Sequence, residues 1–126
     1  MISAAPNRLN LYDAEVYHFS QFYAQPKADK LFRSLLNEIL WRQKTIKLFG
    51  REVLEPRLVS YHGTVPYSYS GKQNELLTYT KTLIALKEDM QQLCETEFNG
   101  VLCNLYRDGV DYMGKHSDNE KSLGKD

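Results

Sequence analysis

Two stretches of the chain repeat apolar residues at the spacing of an α-helix. In the first stretch, the apolar residues recur three and four positions apart and form one wide stripe: Leu31, Phe32, Leu35, Leu36, Ile39 and Leu40. Pro26 precedes the stripe and suits the first turn of a helix. This pattern predicts an amphipathic helix over residues 27–41 whose stripe packs in the core. The second stretch predicts a helix over residues 80–97 with Thr80 as its N-cap.

Shorter apolar segments are typical of β-strands, and they cover residues 14–19, 44–49, 57–61 and 101–106. The second and third segments are predicted to pair as a hairpin with Leu48, Phe49 and Gly50 at its tip. In the last segment, side chains alternate between the two faces of a strand. One face carries Leu102, Asn104 and Tyr106, and the other carries Val101, Cys103 and Leu105. Residues 1–13 are predicted to be a loose lead-in.

Composition and charge narrow the folds and functions that this pattern allows. The chain has 126 residues, 42% of them hydrophobic, which predicts one packed domain. The predicted helices and strands together make its class α+β. The formal net charge is zero, so the overall charge does not indicate a nucleic-acid partner. Residues 41–72, however, carry six Lys or Arg against two Glu and form a local basic patch in the sequence. Cys94 and Cys103 are predicted to be buried free thiols of a reducing compartment. The sequence has no run of about 20 apolar residues and no signal peptide, so no membrane partner is expected.

Candidate chemistry begins with His116 and Asp118. An imidazole and a carboxylate two positions apart can be two legs of a metal site, and the facial triad of non-haem Fe(II) oxygenases starts this way. The alternative is a surface loop with a solvated Asp118. Asn104 and Tyr106 would need hydrogen-bond partners if buried, and a polar ligand could supply them. The alternative for these two is a half-buried strand whose polar face meets water.

Aromatic residues give a second set of candidates. Phe49 at a hairpin tip could act as an apolar wedge between base steps, or it could fold back onto the core. Tyr67 and Tyr69 share one face of an extended segment and could stack a base, or they could simply pack within a loop. His62 is expected to contact the backbone.

The order of these motifs resembles the AlkB family of Fe(II)- and 2-oxoglutarate-dependent dioxygenases, which repair alkylated bases. The resemblance covers most of residues 41–124. The motifs that carry it are Phe98-Asn99-Gly100-Val101-Leu102-Cys103-Asn104-Leu105-Tyr106-Arg107-Asp108-Gly109, His116-Ser117-Asp118-Asn119-Glu120 and Leu123-Gly124. It implies the N-terminal part of a double-stranded β-helix, or jelly-roll, with two packed helices. It also implies oxidative dealkylation of DNA, with RNA as the alternative substrate, in the cytoplasm or a eukaryotic nucleus.

The resemblance also implies roles for individual residues. His116 and Asp118 would bind Fe(II), and Asn104 and Tyr106 would bind 2-oxoglutarate. The residues that would contact the nucleic acid are Tyr67, Tyr69 and Glu120 at the damaged base and Phe49, Gly50, Arg51 and Arg57 at the hairpin.

One departure from the family pattern concerns the third iron ligand. The family's second iron-binding His and its 2-oxoglutarate-binding Arg follow the His-x-Asp motif, and no His follows His116 in this sequence. We therefore expect the domain to be C-terminally incomplete and the chain alone to be inactive. Two alternatives stay open: a non-catalytic nucleic-acid-binding remnant, and an Fe(II)/2-oxoglutarate hydroxylase of another kind of substrate. The oligomeric state is not predicted, although a complete domain is expected to be a monomer.

Overall fold

The computed structural model describes residues 5–69 and 71–118. Its elements, in chain order, are β1 (Asn7–Leu11), β2 (Ala14–His18), α1 (Gln25–Glu38), β3 (Thr45–Leu48), β4 (Arg51–Leu54), β5 (Leu58–Gly63), β6 (Ser68–Tyr69), β7 (Lys72–Gln73), β8 (Leu76–Leu77), α2 (Lys81–Cys94) and β9 (Gly100–Leu105). The chain divides into two compact units, Met1–Asn37 and Glu38–Asp126. Among the described residues, no helix is long and apolar enough to cross a membrane.

The first unit contains a hairpin and most of α1. β1 pairs with β2 in an antiparallel register that sets Leu9 opposite Val16. Residues 7–11 are therefore a strand, and the expectation of a loose lead-in is wrong for them. The helix predicted over residues 27–41 is confirmed as α1, but no residue within it is buried. The expectation that the whole stripe is core is wrong, since Phe32 is exposed and only Ile39, one residue past the helix, is buried.

The second unit is built on a three-stranded sheet with the order β8-β5-β9. β5 is central and almost wholly buried, and it pairs antiparallel with β9 and parallel with β8. The buried apolar side chains of the described residues lie in this unit: Ile39, Val59, Tyr61 and Leu83.

α2 confirms the second predicted helix, with closer limits than residues 80–97. The Thr80 side chain accepts a hydrogen bond from the Leu83 backbone N–H at 3.2 Å, so Thr80 is the N-cap. The helix ends where Glu95 takes the left-handed conformation, with φ of 51°. Cys94, in the last turn, is a free thiol but is exposed, contrary to its predicted burial. Cys103 is partly buried, and burial raises the pKa of its thiol to about 11.

The hairpin of the second unit differs from its prediction. β3 confirms the strand predicted over residues 44–49, but its partner is β4, with Leu48 opposite Arg51. Residues 58–61 belong to β5, the centre of another sheet, and Arg57 directly precedes that strand. The hairpin is therefore shorter than expected, and its two-residue tip is Phe49-Gly50.

Candidate functional site

The register between β5 and β9 decides which side chains share a face of the sheet. Val59 lies opposite Asn104 and Tyr61 lies opposite Leu102. Residues directly opposite each other point to the same side, so these four define one face, which we call the Tyr61 face. The predicted separation of Asn104 from its neighbours Cys103 and Leu105 is confirmed. Asn104 itself is exposed.

The other face of the sheet is covered by α2. Val101 of β9 and Leu83 and Leu86 of α2 line the same apolar groove, of about 260 Å³. A polar link that the sequence did not reveal also lies on this side. His62, which is buried, donates from Nδ1 to the Thr78 carbonyl oxygen at 2.7 Å, and its Nε2 lies 3.0 Å from the Ser60 hydroxyl. Both ring nitrogens of His62 are thus engaged within the protein.

Tyr61 connects the sheet to the Tyr67 segment. Its ring packs against the Tyr67 ring, with centroids 5.5 Å apart and planes at 38°. Its hydroxyl donates to the Val65 carbonyl oxygen at 2.8 Å. Gly100, which lies opposite Gly63, gives this ring its space, because a Cβ there would collide with the Tyr61 hydroxyl. Tyr67 is therefore held beside the Tyr61 face, the face that also carries Asn104.

A buried ion pair supports Tyr106, which follows β9. Glu55 is 1% exposed and Arg57 is 6% exposed. Two guanidinium nitrogens of Arg57 lie 2.8 Å and 2.7 Å from Glu55 Oε1, and Arg57 also hydrogen-bonds the Tyr106 side chain. Burial lowers the pKa of Arg57, but these hydrogen bonds outweigh burial and the pKa is raised. The role implied for Arg57 as a nucleic-acid contact does not fit this burial, and the residue is instead placed to orient Tyr106.

The hairpin tip is exposed and conformationally unusual. Phe49 has φ of 49° and Gly50 has φ of 76°, and a turn with two positive φ values matches the twist of a two-residue hairpin. The Phe49 side chain is 104% exposed. This exposure excludes the alternative that Phe49 folds back onto the core. Arg51, beside the tip, is exposed as well.

A compact loop leads from Tyr106 toward the predicted metal ligands. Asp111 accepts hydrogen bonds from the Arg107 backbone N–H at 2.9 Å and from the Arg107 guanidinium at 2.7 Å and 2.9 Å. Hydrogen bonds from Arg107 lower the pKa of Asp111 to about 2. Asp108 accepts from the Val110 N–H at 2.9 Å and closes the turn.

His116 and Asp118 lie side by side, although in an irregular segment and not in a strand. His116 Nε2 is 3.4 Å from Asp118 Oδ1, and Nδ1 donates to the Gly114 carbonyl oxygen at 2.8 Å. In the neutral ring this bond fixes the tautomer, with the proton on Nδ1 and none on Nε2. Two ligands about 2.1 Å from one ion lie about 3.0–3.4 Å apart at angles of about 90–110°. The pair therefore fits two positions of one metal ion.

The structure gives little or no positional information for the other predicted site residues. Tyr69 ends β6 and lies opposite Lys72 of β7. Glu120, and with it Asn119, Leu123 and Gly124, lies outside the described residues. Within the described ranges 5–69 and 71–118, no group of three His, Cys, Asp or Glu is arranged to hold a metal ion.

Comparison with known proteins gives the family. Residues 15–126 match the model of the 2OG-Fe(II) oxygenase superfamily, and the chain belongs to this superfamily of dioxygenases. It is 35% identical over 100 residues to the Bos taurus alpha-ketoglutarate-dependent dioxygenase alkB homolog 3, covering 79% of this chain and 35% of that protein. It is 27% identical over 110 residues to the Mus musculus DNA oxidative demethylase ALKBH2, covering 83% of this chain and 46% of that protein. Within the superfamily, the chain is of the AlkB type.

These alignments confirm the family resemblance that the motifs indicated. The chain spans about a third to a half of the length of the curated relatives it matches.

Proposed function

We propose that this chain contributes to an oxidative dealkylase of bases in DNA, with RNA as the alternative substrate. The observation that carries the proposal is the 3.4 Å separation of His116 Nε2 and Asp118 Oδ1, with the imidazole oriented by Gly114. The chain would form the opening strands of a jelly-roll. When bound, Fe(II) together with 2-oxoglutarate and oxygen supplies hydroxylation of an N-alkyl carbon, after which the alkyl group leaves as an aldehyde.

The residues of this chain have binding and orienting roles in that proposal. His116 and Asp118 hold the metal. Asn104, on the Tyr61 face, and Tyr106 donate hydrogen bonds to 2-oxoglutarate, and the Glu55–Arg57 pair holds the Tyr106 hydroxyl in position.

The substrate roles belong to the hairpin and the Tyr67 segment. Tyr67 packs beside the Tyr61 face, where a base turned out of its stack can lie against aromatic rings. By family resemblance, we also propose Tyr69 and Glu120 as contacts to the base. Phe49, fully exposed on a two-residue tip, is suited to fill the gap that an extruded base leaves in a duplex.

Metal binding tests this proposal most directly. Co(II) titration of the chain, followed by absorbance, should show one site that His116→Ala and Asp118→Ala each weaken at least tenfold. His18→Ala is the matched control, because His18 is exposed on β2 and should bind no metal. Equal weakening by the control, or no weakening by either ligand variant, would remove the assigned site.

Turnover distinguishes the remaining possibilities. With two protein ligands for iron, the chain alone should release no succinate when mixed with an N-methylated oligonucleotide, Fe(II) and 2-oxoglutarate. Oligonucleotide-coupled succinate from the chain alone would contradict the expected inactivity. In a longer protein containing this chain, binding without turnover would instead support the nucleic-acid-binding alternative.

A further inference from the structure

A cleft with a basic lining lies next to the Tyr67 segment. It has a volume of about 390 Å³ and is lined by β3, by Lys44 just before β3, and by Lys72 just after the β6–β7 turn. Lys47 and Glu55 also reach its walls. No motif in the sequence singled out Lys44 or Lys72.

Hydrogen bonds hold both lysines, one to a side chain and one to the backbone. Lys44 Nζ donates to Asn74 Oδ1, and the buried Asn74 donates in turn to the Tyr67 carbonyl oxygen from Nδ2 at 3.1 Å and from its backbone N–H at 2.8 Å. Lys72 Nζ donates to the Thr45 carbonyl oxygen at 2.7 Å. An ammonium group has three N–H donors, so each lysine can also donate to an anion in the cleft. Lys44 is therefore tied to the Tyr67 segment through Asn74, and Lys72 is tied to β3 through Thr45.

The charge in this cleft is positive and incompletely balanced. Burial lowers the pKa of Lys44, and the nearby positive charges of Arg57 and Lys72 lower it further, whereas Glu55 opposes them. Glu55 is already engaged by Arg57 at 2.7 Å. Lys47 lies opposite Glu52 across the hairpin, whereas Lys44 and Lys72 are close enough for their positive charges to repel each other. A bound anion would reduce the repulsion between them.

We propose that this cleft binds one phosphodiester of the nucleic-acid strand, next to the base held by the Tyr67–Tyr69 segment. This inference rests on the proposed function for the identity of the anion. Two connections place the phosphate beside the base. Lys72 lies directly opposite Tyr69 in the β6–β7 register, and Asn74 joins Lys44 to Tyr67. A phosphate held there would fix the strand in register without reading its sequence.

Salt-dependent binding tests the proposal on the full chain. The probe is a fluorescently labelled single-stranded 12-mer, and its anisotropy is followed from low to moderate salt. Each lost phosphate contact should reduce the slope of log K against log salt by about 0.7 for a single strand. Because the two lysines share one phosphate, Lys44→Gln combined with Lys72→Gln should reduce the slope by about 0.7. The control is Lys81→Gln, an exposed lysine at the start of α2, which should leave the slope unchanged.

A second measurement uses the unmodified chain and does not depend on the folding of a variant. Acylation of each lysine is measured by mass spectrometry with and without the 12-mer. Lys44 and Lys72 should be protected by the oligonucleotide, and Lys81 should not. Uniform protection of all three lysines would indicate diffuse attraction and would overturn the specific cleft.

A control with inorganic phosphate distinguishes a phosphate of the nucleic acid from a free phosphate ion as the ligand of the cleft. Protection of Lys44 and Lys72 by millimolar phosphate but not by the 12-mer would mean that the cleft takes a free anion, and the proposal would be wrong. Undetectable oligonucleotide binding would also overturn it. Failure of the metal-binding test with lysine-dependent oligonucleotide binding intact would overturn the proposed enzymatic function alone.

Discussion

Replacing Phe49 by alanine should leave the stability of the chain unchanged while weakening its ability to open a duplex. The side chain is fully exposed, so its removal creates no cavity and loses no buried apolar area. Its φ of 49° is costly for any residue with a Cβ. Phe49→Gly should therefore stabilise the chain by up to about 1 kcal/mol, which raises Tm by about 3–5 °C for a domain of this size.

The effect on duplex DNA has a different origin. Extruding a base costs a few kcal/mol in lost stacking and pairing, and a wedge that offsets about 1.4 kcal/mol of this cost changes the extruded population about tenfold. A 2-aminopurine probe in the oligonucleotide reports extrusion by its fluorescence. Phe49→Ala should reduce the signal about tenfold on a duplex, whereas binding to the matched single strand should change less than twofold.

The tip of the β1–β2 hairpin offers a matched control for this experiment. Tyr12 is 99% exposed there, so Tyr12→Ala removes an equally exposed aromatic ring and should leave extrusion unchanged. A fall in Tm with Phe49→Ala would mean that the ring packs on the chain in solution. Equal losses on duplex and single strand would refute the wedge role even if Tm stayed constant.

Three further substitutions test the interactions that hold the candidate site in place. Glu55→Gln should destabilise the chain by about 3–5 kcal/mol in urea unfolding, because it leaves the buried Arg57 charge without its partner; no change would mean that water reaches this pair. Gly100→Ala should cost about 1–3 kcal/mol in the same assay, since its methyl group meets the Tyr61 hydroxyl, and a neutral effect would show that the ring can move. Because the pKa of Asp111 is lowered to about 2, its stabilising contribution is complete above pH 4 and is lost as pH falls toward 2. The Tm difference between the wild type and Asp111→Asn should shrink over that interval, and a constant difference would contradict the assigned pKa.

Local signals predicted the helices and the last strand well. Thr80 caps α2 as expected because capping depends on a hydroxyl and an N–H three residues apart. The alternation around Asn104 likewise follows from the two-residue period of a strand. The pairing of His116 with Asp118 could be predicted because the two residues are near neighbours in sequence.

Most features that could not be predicted depend on contacts between residues that are far apart in the sequence. Residues 57–61 have the composition of a hairpin strand, but their partners in β9 lie about 40 residues later. The family resemblance implies that Arg57 contacts nucleic acid, and only the fold shows that Glu55 and Tyr106 engage its side chain. The cleft that Lys44 and Lys72 line could not be predicted for the same reason. The two lysines line one cleft only because the fold brings Lys72 next to β3.

The central position of β5 also has a consequence during synthesis. The strand leaves the ribosome well before β9, and at about 5–20 residues per second the gap of about 40 residues lasts about 2–8 seconds. During this interval the edge of β5 that β9 later covers offers unpaired backbone groups beside Val59 and Tyr61. Neighbouring nascent chains on one messenger RNA could add a strand to that edge. Misassembly of this protein should therefore depend on polysome density more than on the stability of the finished fold.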